Sequence, residues 1–145
     1  MRNVELVNGA KAWAFSSSQY VQAAVKNVET YLLSKGKKFP SKADTPIRTV
    51  YRPELDVTPE LNASNASYYQ SLIGILRWIV ELGRADICLE VSMMSSHVAL
   101  PREGHLEQVL HIFAHLKKYH NTEMVFDPSE PVIDESQFEA KDLCL

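Results

Sequence analysis

Residues 68–119 read YYQSLIGILRWIVELGRADICLEVSMMSSHVALPREGHLEQVLHIFAHLKKY, and this stretch decides the fold. It contains most of the large apolar residues and two breaks, at Gly83 and at Pro101. Leu72, Ile73, Ile75, Leu76, Trp78, Ile79 and Val80 make a helix over about 66–82 apolar nearly all round, the pattern of a helix in the middle of a bundle. Gly74 costs about 1 kcal/mol there relative to Ala, which close approach of a neighbouring helix would justify. Asp86 is placed to cap a third helix over about 86–99, with Ile87, Val91, Met94 and Val98 on one stripe and a polar face at Ser92, Ser95, Ser96 and His97. Pro101 opens a fourth as its first residue. Leu106, Val109, Leu110, Phe113 and Leu116 form its buried stripe. Its acids come early (Glu103, Glu107) and its bases late (Lys117, Lys118), as the helix dipole favours.

Upstream, apolar residues at 21, 25, 28 and 32 trace one face of a first helix over about 18–35. Ser16, Ser17 and Ser18 offer a hydroxyl cap at its start. Gly36 closes it among Lys35, Lys37 and Lys38. Residues 3–15 alternate around Asn8-Gly9, a strong hairpin signal. Val4 and Leu6 on one strand would pack with Trp13 and Phe15 on the other. Residues 36–66 carry Pro40, Pro46, Pro53 and Pro59 without sustained periodicity, a connection longer than compact domains usually need. Residues 122–126 suggest a short strand. The expected fold is mainly α: a bundle of about four helices, a small N-terminal β-hairpin and a short C-terminal strand.

The length of 145 residues suits one domain able to bury roughly 70% of its unfolded surface. We divide it into a helical domain, 1–122, and an acidic tail, 123–145. The tail has seven acids and one base, leaving 11 acids and 14 bases in the body under a net charge of −3. The body is therefore mildly basic. The apolar run 72–80 is broken by Arg77 and far short of the ~20 residues of a membrane span, so no membrane is expected as partner. Cys88 and Cys144 form no disulfide framework, Cys88 reads as a buried thiol, and the N-terminus has no secretory h-region. An intracellular, non-secreted protein is expected.

Candidate chemistry is sparse. His111 and His115 are four apart on one helix, as zinc ligands can be. No third ligand follows at a characteristic spacing, His105 is expected nearly opposite His111, and a half-buried pair flanking Phe113 is the simpler reading. Ser95, Ser96, His97 and Glu90 lack the glycines of a nucleophile elbow and read as a polar helix face. No glycine-rich phosphate loop exists. The suggestive feature is basic: Lys37, Lys38, Lys42, Arg48 and Arg52, with Tyr51 among them, could follow a phosphate backbone or form a solvated face.

Four blocks in order resemble one family. They are Tyr69-Gln-Ser-Leu-Ile-Gly-Ile-Leu-Arg-Trp78, then Gly83-Arg-Ala-Asp-Ile87, then Pro101-Arg-Glu-Gly-His105 followed by Ile112-Phe-Ala-His-Leu-Lys-Lys118. This succession resembles copia-type retrotransposon polyproteins between the reverse transcriptase palm and ribonuclease H. Trp13-Ala-Phe-Ser-Ser17 and Tyr51-Arg-Pro-Glu-Leu-Asp56 also fit, so the resemblance covers about Val4 to Asp142. Ala85 stands where the family commonly has proline, and Trp78 where tyrosine is common. The resemblance implies a thumb-and-connection region that grips an RNA/DNA primer–template and joins the two catalytic units, the palm and ribonuclease H being its partners in the parent. Lys37, Lys38, Lys42, Arg48, Arg52, Lys117 and Lys118 are the candidate nucleic-acid contacts. The parent's Mg2+ would be held by a palm aspartate motif absent from this sequence, so no catalytic residue, metal or other cofactor is assigned. Isolated binding should be weak. The alternative from another class is a helical protein–protein interaction module.

Overall fold

The computed structural model describes residues 1–129 and Val132. The rest of the acidic tail, with Asp142 and Cys144, lies outside the described residues. The described residues form two compact units, one spanning Phe15–Met124 and the other built from Met1–Ala14 with the described residues from Val125 onward. The element order is β1 (Arg2–Glu5), β2 (Lys11–Phe15), α1 (Ser18–Ser34), α2 (Ala63–Glu81), α3 (Cys88–Ser95), α4 (Glu103–Lys118) and β3 (Met124–Phe126), with 3-10 turns at Pro53–Leu55 and Ala85–Ile87. Among the described residues the fold is mainly α, with four α-helices, as the periodicity predicts.

β1 and β2 form the expected antiparallel hairpin, and β3 joins the sheet beside β2. The loop is Val7-Asn8-Gly9. The Gly9 N–H donates to the Leu6 carbonyl, and Gly9 takes a φ of +78°, the left-handed step that ends a three-residue hairpin loop. The register corrects the expected face. Val4 stands opposite Ala12, and Arg2 opposite Ala14. Ala12 and Ala14 are buried while Trp13 is 53% exposed. Val4 thus faces the small residues of β2, because side chains alternate along a strand and Trp13 falls on the other face.

α1 buries Val21, Ala24, Val25, Val28 and Leu32. Its C-terminus is a Schellman motif: Gly36, at φ +69°, donates to the Leu33 carbonyl and Lys37 to that of Leu32. The serine cap differs from expectation. Ser17 stands at the cap without a side-chain bond, and Ser16 Oγ accepts from the Ser18 N–H. α2 starts earlier than predicted because Asn62 Oδ1 accepts from the Asn65 N–H.

The bundle is organised around α4 instead of α2. Ten of the 16 residues of α4 are buried, against five of the 19 of α2. α4 packs on α1, α2 and α3, with Val109, Ile112, Phe113 and Leu116 in the shared core. α2 has an open face along Gly74, Arg77, Trp78 and Glu81. A Cβ on Gly74 would meet nothing within 4 Å, so close helix packing does not explain that glycine. α3 is shorter than predicted and begins without an Asp86 cap, because both Asp86 oxygens accept from the Arg84 guanidinium, each at 2.8 Å. That pairing, opposed by burial, holds the Asp86 carboxyl below its usual range. Cys88, expected to be buried, is exposed at the start of α3. Among the described residues no helix is long and apolar enough to cross a membrane.

Candidate nucleic-acid interface

The long connection is an ordered strap laid antiparallel along α4. Its proline-rich backbone makes few ladder bonds, so its carbonyls need other partners. α4 supplies them from a polar stripe. His115 Nδ1 meets the Ala43 carbonyl at 3.1 Å and His111 Nε2 that of Thr45 at 2.9 Å. Gln108 Nε2 donates to the Pro46 carbonyl at 2.9 Å, and His105 Nε2 reaches that of Pro53 at 3.0 Å. All four side chains are buried. His105 Nδ1 accepts from the Arg102 N–H, so Nε2 carries the proton given to Pro53. His105, expected nearly opposite His111, serves the same strap because the strap crosses α4 and covers a broad swath. Burial lowers the affinity of His111 for a proton, and nearby Arg48 lowers it further, against a raising bond from the Thr45 carbonyl. Each of the paired histidines read as possible zinc ligands is thus committed to a backbone carbonyl. Among the described residues no three His, Cys, Asp or Glu side chains converge as a metal requires.

The strap also caps α4. Asp56 Oδ1 accepts from the backbone and hydroxyl of Thr58, at 2.9 and 2.5 Å, and Oδ2 accepts from the Tyr51 hydroxyl at 2.6 Å. Thr58 Oγ1 in turn accepts from the Gly104 N–H at 2.9 Å, satisfying a free donor of the first turn. Burial acts to raise the Asp56 carboxyl, but the Thr58 and Tyr51 bonds outweigh it and hold it at about 2. Burial, then the bond to Asp56, push the Tyr51 hydroxyl well above its ordinary range. Gly104 is required by contact: a Cβ there would lie 1.9 Å from Asp56 Oδ2.

This architecture sorts the seven candidate cations. Arg48 is consumed by the fold. Its backbone N–H and Nε donate to Gln108 Oε1, Nη1 to Glu107 and Nη2 to the Gly104 carbonyl, and its guanidinium lies 4.3 Å from the Tyr51 ring centroid. Lys117 pairs with Glu29 and Lys118 with Asp44. The Lys118–Asp44 hydrogen bond raises the lysine and lowers the aspartate. Lys37, Lys38, Lys42 and Arg52 are exposed and meet no carboxylate among the described residues.

Three clefts adjoin at Pro40 and hold six of the seven cations. The first, about 580 Å³, runs between the end of α1 and α4 and contains Lys37, Lys38 and Arg48. The second, about 650 Å³, contains Lys38, Phe39 and the two paired lysines. The third, about 650 Å³, contains Lys42 and Arg48. Arg52 lines none of them.

Ser95, Ser96 and His97, at and just beyond the end of α3, assemble no nucleophile. Ser95 and Ser96 hydroxyls donate to their own helix, at Val91 and Met93, and His97 stacks on His105 with ring centroids 4.2 Å apart. Burial and the neighbouring His105 lower the proton affinity of His97. A contact without any signal in the residue pattern joins Ser18 Oγ to His120 Nδ1 at 2.8 Å, tying the start of α1 to the chain after α4. The signal for the polar stripe was present: His105, Gln108, His111 and His115 recur at spacings of 3, 3 and 4. Comparison with protein-family models, with curated proteins and with solved structures gave no match.

Proposed function

We propose that this chain is the thumb-and-connection portion of a copia-type reverse transcriptase, gripping primer–template and linking catalytic units without catalysing a reaction itself. The ordered blocks from Tyr69 to Lys118 support this reading. The structural observation in its favour is that Lys37, Lys38 and Lys42 are free cations on one clefted face. Phosphate contacts position a nucleic acid and supply most of its non-specific affinity. Three of them give a slope of log K against log salt of about −2.7 on a duplex, whereas all seven candidates would give about −6. The test is fluorescence anisotropy with a primed RNA–DNA hybrid across a salt series. Salt-sensitive binding removed by the triple change K37E/K38E/K42E is expected; no binding at low salt, or binding indifferent to salt, defeats the proposal. Primer extension with Mg2+ should be blank, and any metal-dependent extension would overturn the non-catalytic assignment.

A second reading, a protein–protein interaction module, draws on Trp78, which is 53% exposed on the open face of α2. Trp78→Ser should leave oligonucleotide affinity unchanged on the first reading.

A further inference from the structure

We infer that the clefted face around Pro40 takes single-stranded nucleic acid, with an unstacked base against Phe39, in preference to a duplex; this rests on the nucleic-acid reading proposed above. Three features of the face point that way.

Its relief comes first. A duplex offers a regular ridge of phosphates with its bases stacked inside, and it cannot fill three adjoining hollows of about 580, 650 and 650 Å³. A single strand can splay its bases into such hollows while its backbone follows the rim.

The charge pattern comes second. The free lysines are interrupted by carboxylates. Glu103 and Glu107 line the first hollow with Lys37 and Lys38, and Asp44 lines the third with Lys42. An unbroken phosphate row laid across the face would meet those acids. Glu107 and Asp44 are already paired with Arg48 and Lys118, but a splayed base can make a partner of Glu103, since a carboxylate accepts from an exocyclic amino group. Glu103 is exposed in the first turn of α4 and has no ion-pair partner among the described residues, so it is free to accept.

The aromatic comes third. Phe39 follows Lys38 directly in the chain. Its ring, packed against the edge of the core, lines the second hollow, with Lys117 Nζ 5.9 Å from its centroid. An aromatic face between cations is the element on which bases of either sugar type stack.

The experiment compares a labelled oligocytidylate of about 12 nucleotides, whose bases carry the amino group, with a duplex of equal length by anisotropy. The proteins are the full chain, Phe39→Leu, Phe39→Trp and K37E/K38E/K42E, each checked by circular dichroism. The single strand should bind more tightly than the duplex. Phe39→Leu, which keeps an apolar side chain but removes the π face, should weaken single-strand binding about five- to hundredfold and leave duplex binding unchanged. Phe39→Trp should restore it. Equal or tighter duplex binding, or full single-strand affinity in Phe39→Leu, overturns this inference while the lysine-dependent grip stands. Loss of all salt-sensitive binding in the unmodified chain removes both.

Discussion

Replacing Gly104 by alanine isolates the contact that anchors the strap to α4. On intrinsic grounds the change should help, because glycine in a helix costs about 1 kcal/mol relative to alanine. The structure reverses the sign. The new Cβ would lie 1.9 Å from Asp56 Oδ2 and 2.7 Å from its Cγ, so the carboxylate must leave. Asp56 accepts from Thr58 N–H, Thr58 Oγ1 and Tyr51 Oη, and Thr58 Oγ1 accepts from the Gly104 N–H. A hydrogen bond to a charged group contributes about 1.5–3 kcal/mol. Disrupting two of these contacts, set against the propensity gain, leaves a net loss of about 2–5 kcal/mol. For a unit of this size that lowers Tm on the order of 10 °C. The assay is urea and thermal unfolding of G104A, D56A and the double variant. In the D56A background the clash is gone, and G104A should become neutral or stabilising by about 0.5–1 kcal/mol. A single G104A as stable as the parent, or a cost undiminished without Asp56, would refute the reasoning.

Gly74→Ala offers the opposite case, since its Cβ meets nothing and the position is exposed; urea unfolding should show a gain of about 0.5–1 kcal/mol. Gln108→Met keeps the volume but strips a partner from the Pro46 carbonyl and from the Arg48 N–H groups, so it should cost about 2–4 kcal/mol by the same measurement. The lowered proton affinities of His97 and His111 put their folded pKa values beneath the unfolded value of about 6.5. The unfolded chain therefore binds more protons below that pH, and this contribution to stability declines as pH falls from about 7. Urea midpoints at pH 7.5 and pH 5 should differ accordingly, and His111→Gln should reduce the difference. Asp56, held at about 2, adds stability that is present above about 4 and lost as pH falls through 2; Asp56→Asn should flatten that acid limb in a pH titration of unfolding.

Local patterning alone determined the type and order of the elements, though not the start of α2 or the length of α3. The 4-3-4 spacing of Val21, Val25, Val28 and Leu32 defines α1, Gly36 ends it, Asn8-Gly9 turns the hairpin, and the breaks at Gly83 and Pro101 separate the last three helices. Each of these is a statement about residues a few positions apart, where backbone sterics and periodicity act without help from the rest of the chain. Tertiary structure decided which helix is central and which cations are free. α2 is far more apolar than α4, yet α4 is the more buried, because burying a strap whose prolines leave its carbonyls unpaired demands a helix with buried donors. His105, Gln108, His111 and His115 meet that demand from across about 50–70 residues of chain. The same long-range pairing consumes Arg48 and occupies Lys117 and Lys118 while sparing Lys37, Lys38 and Lys42. A charge's sign can be read from its letter, but its availability depends on what the fold brings beside it.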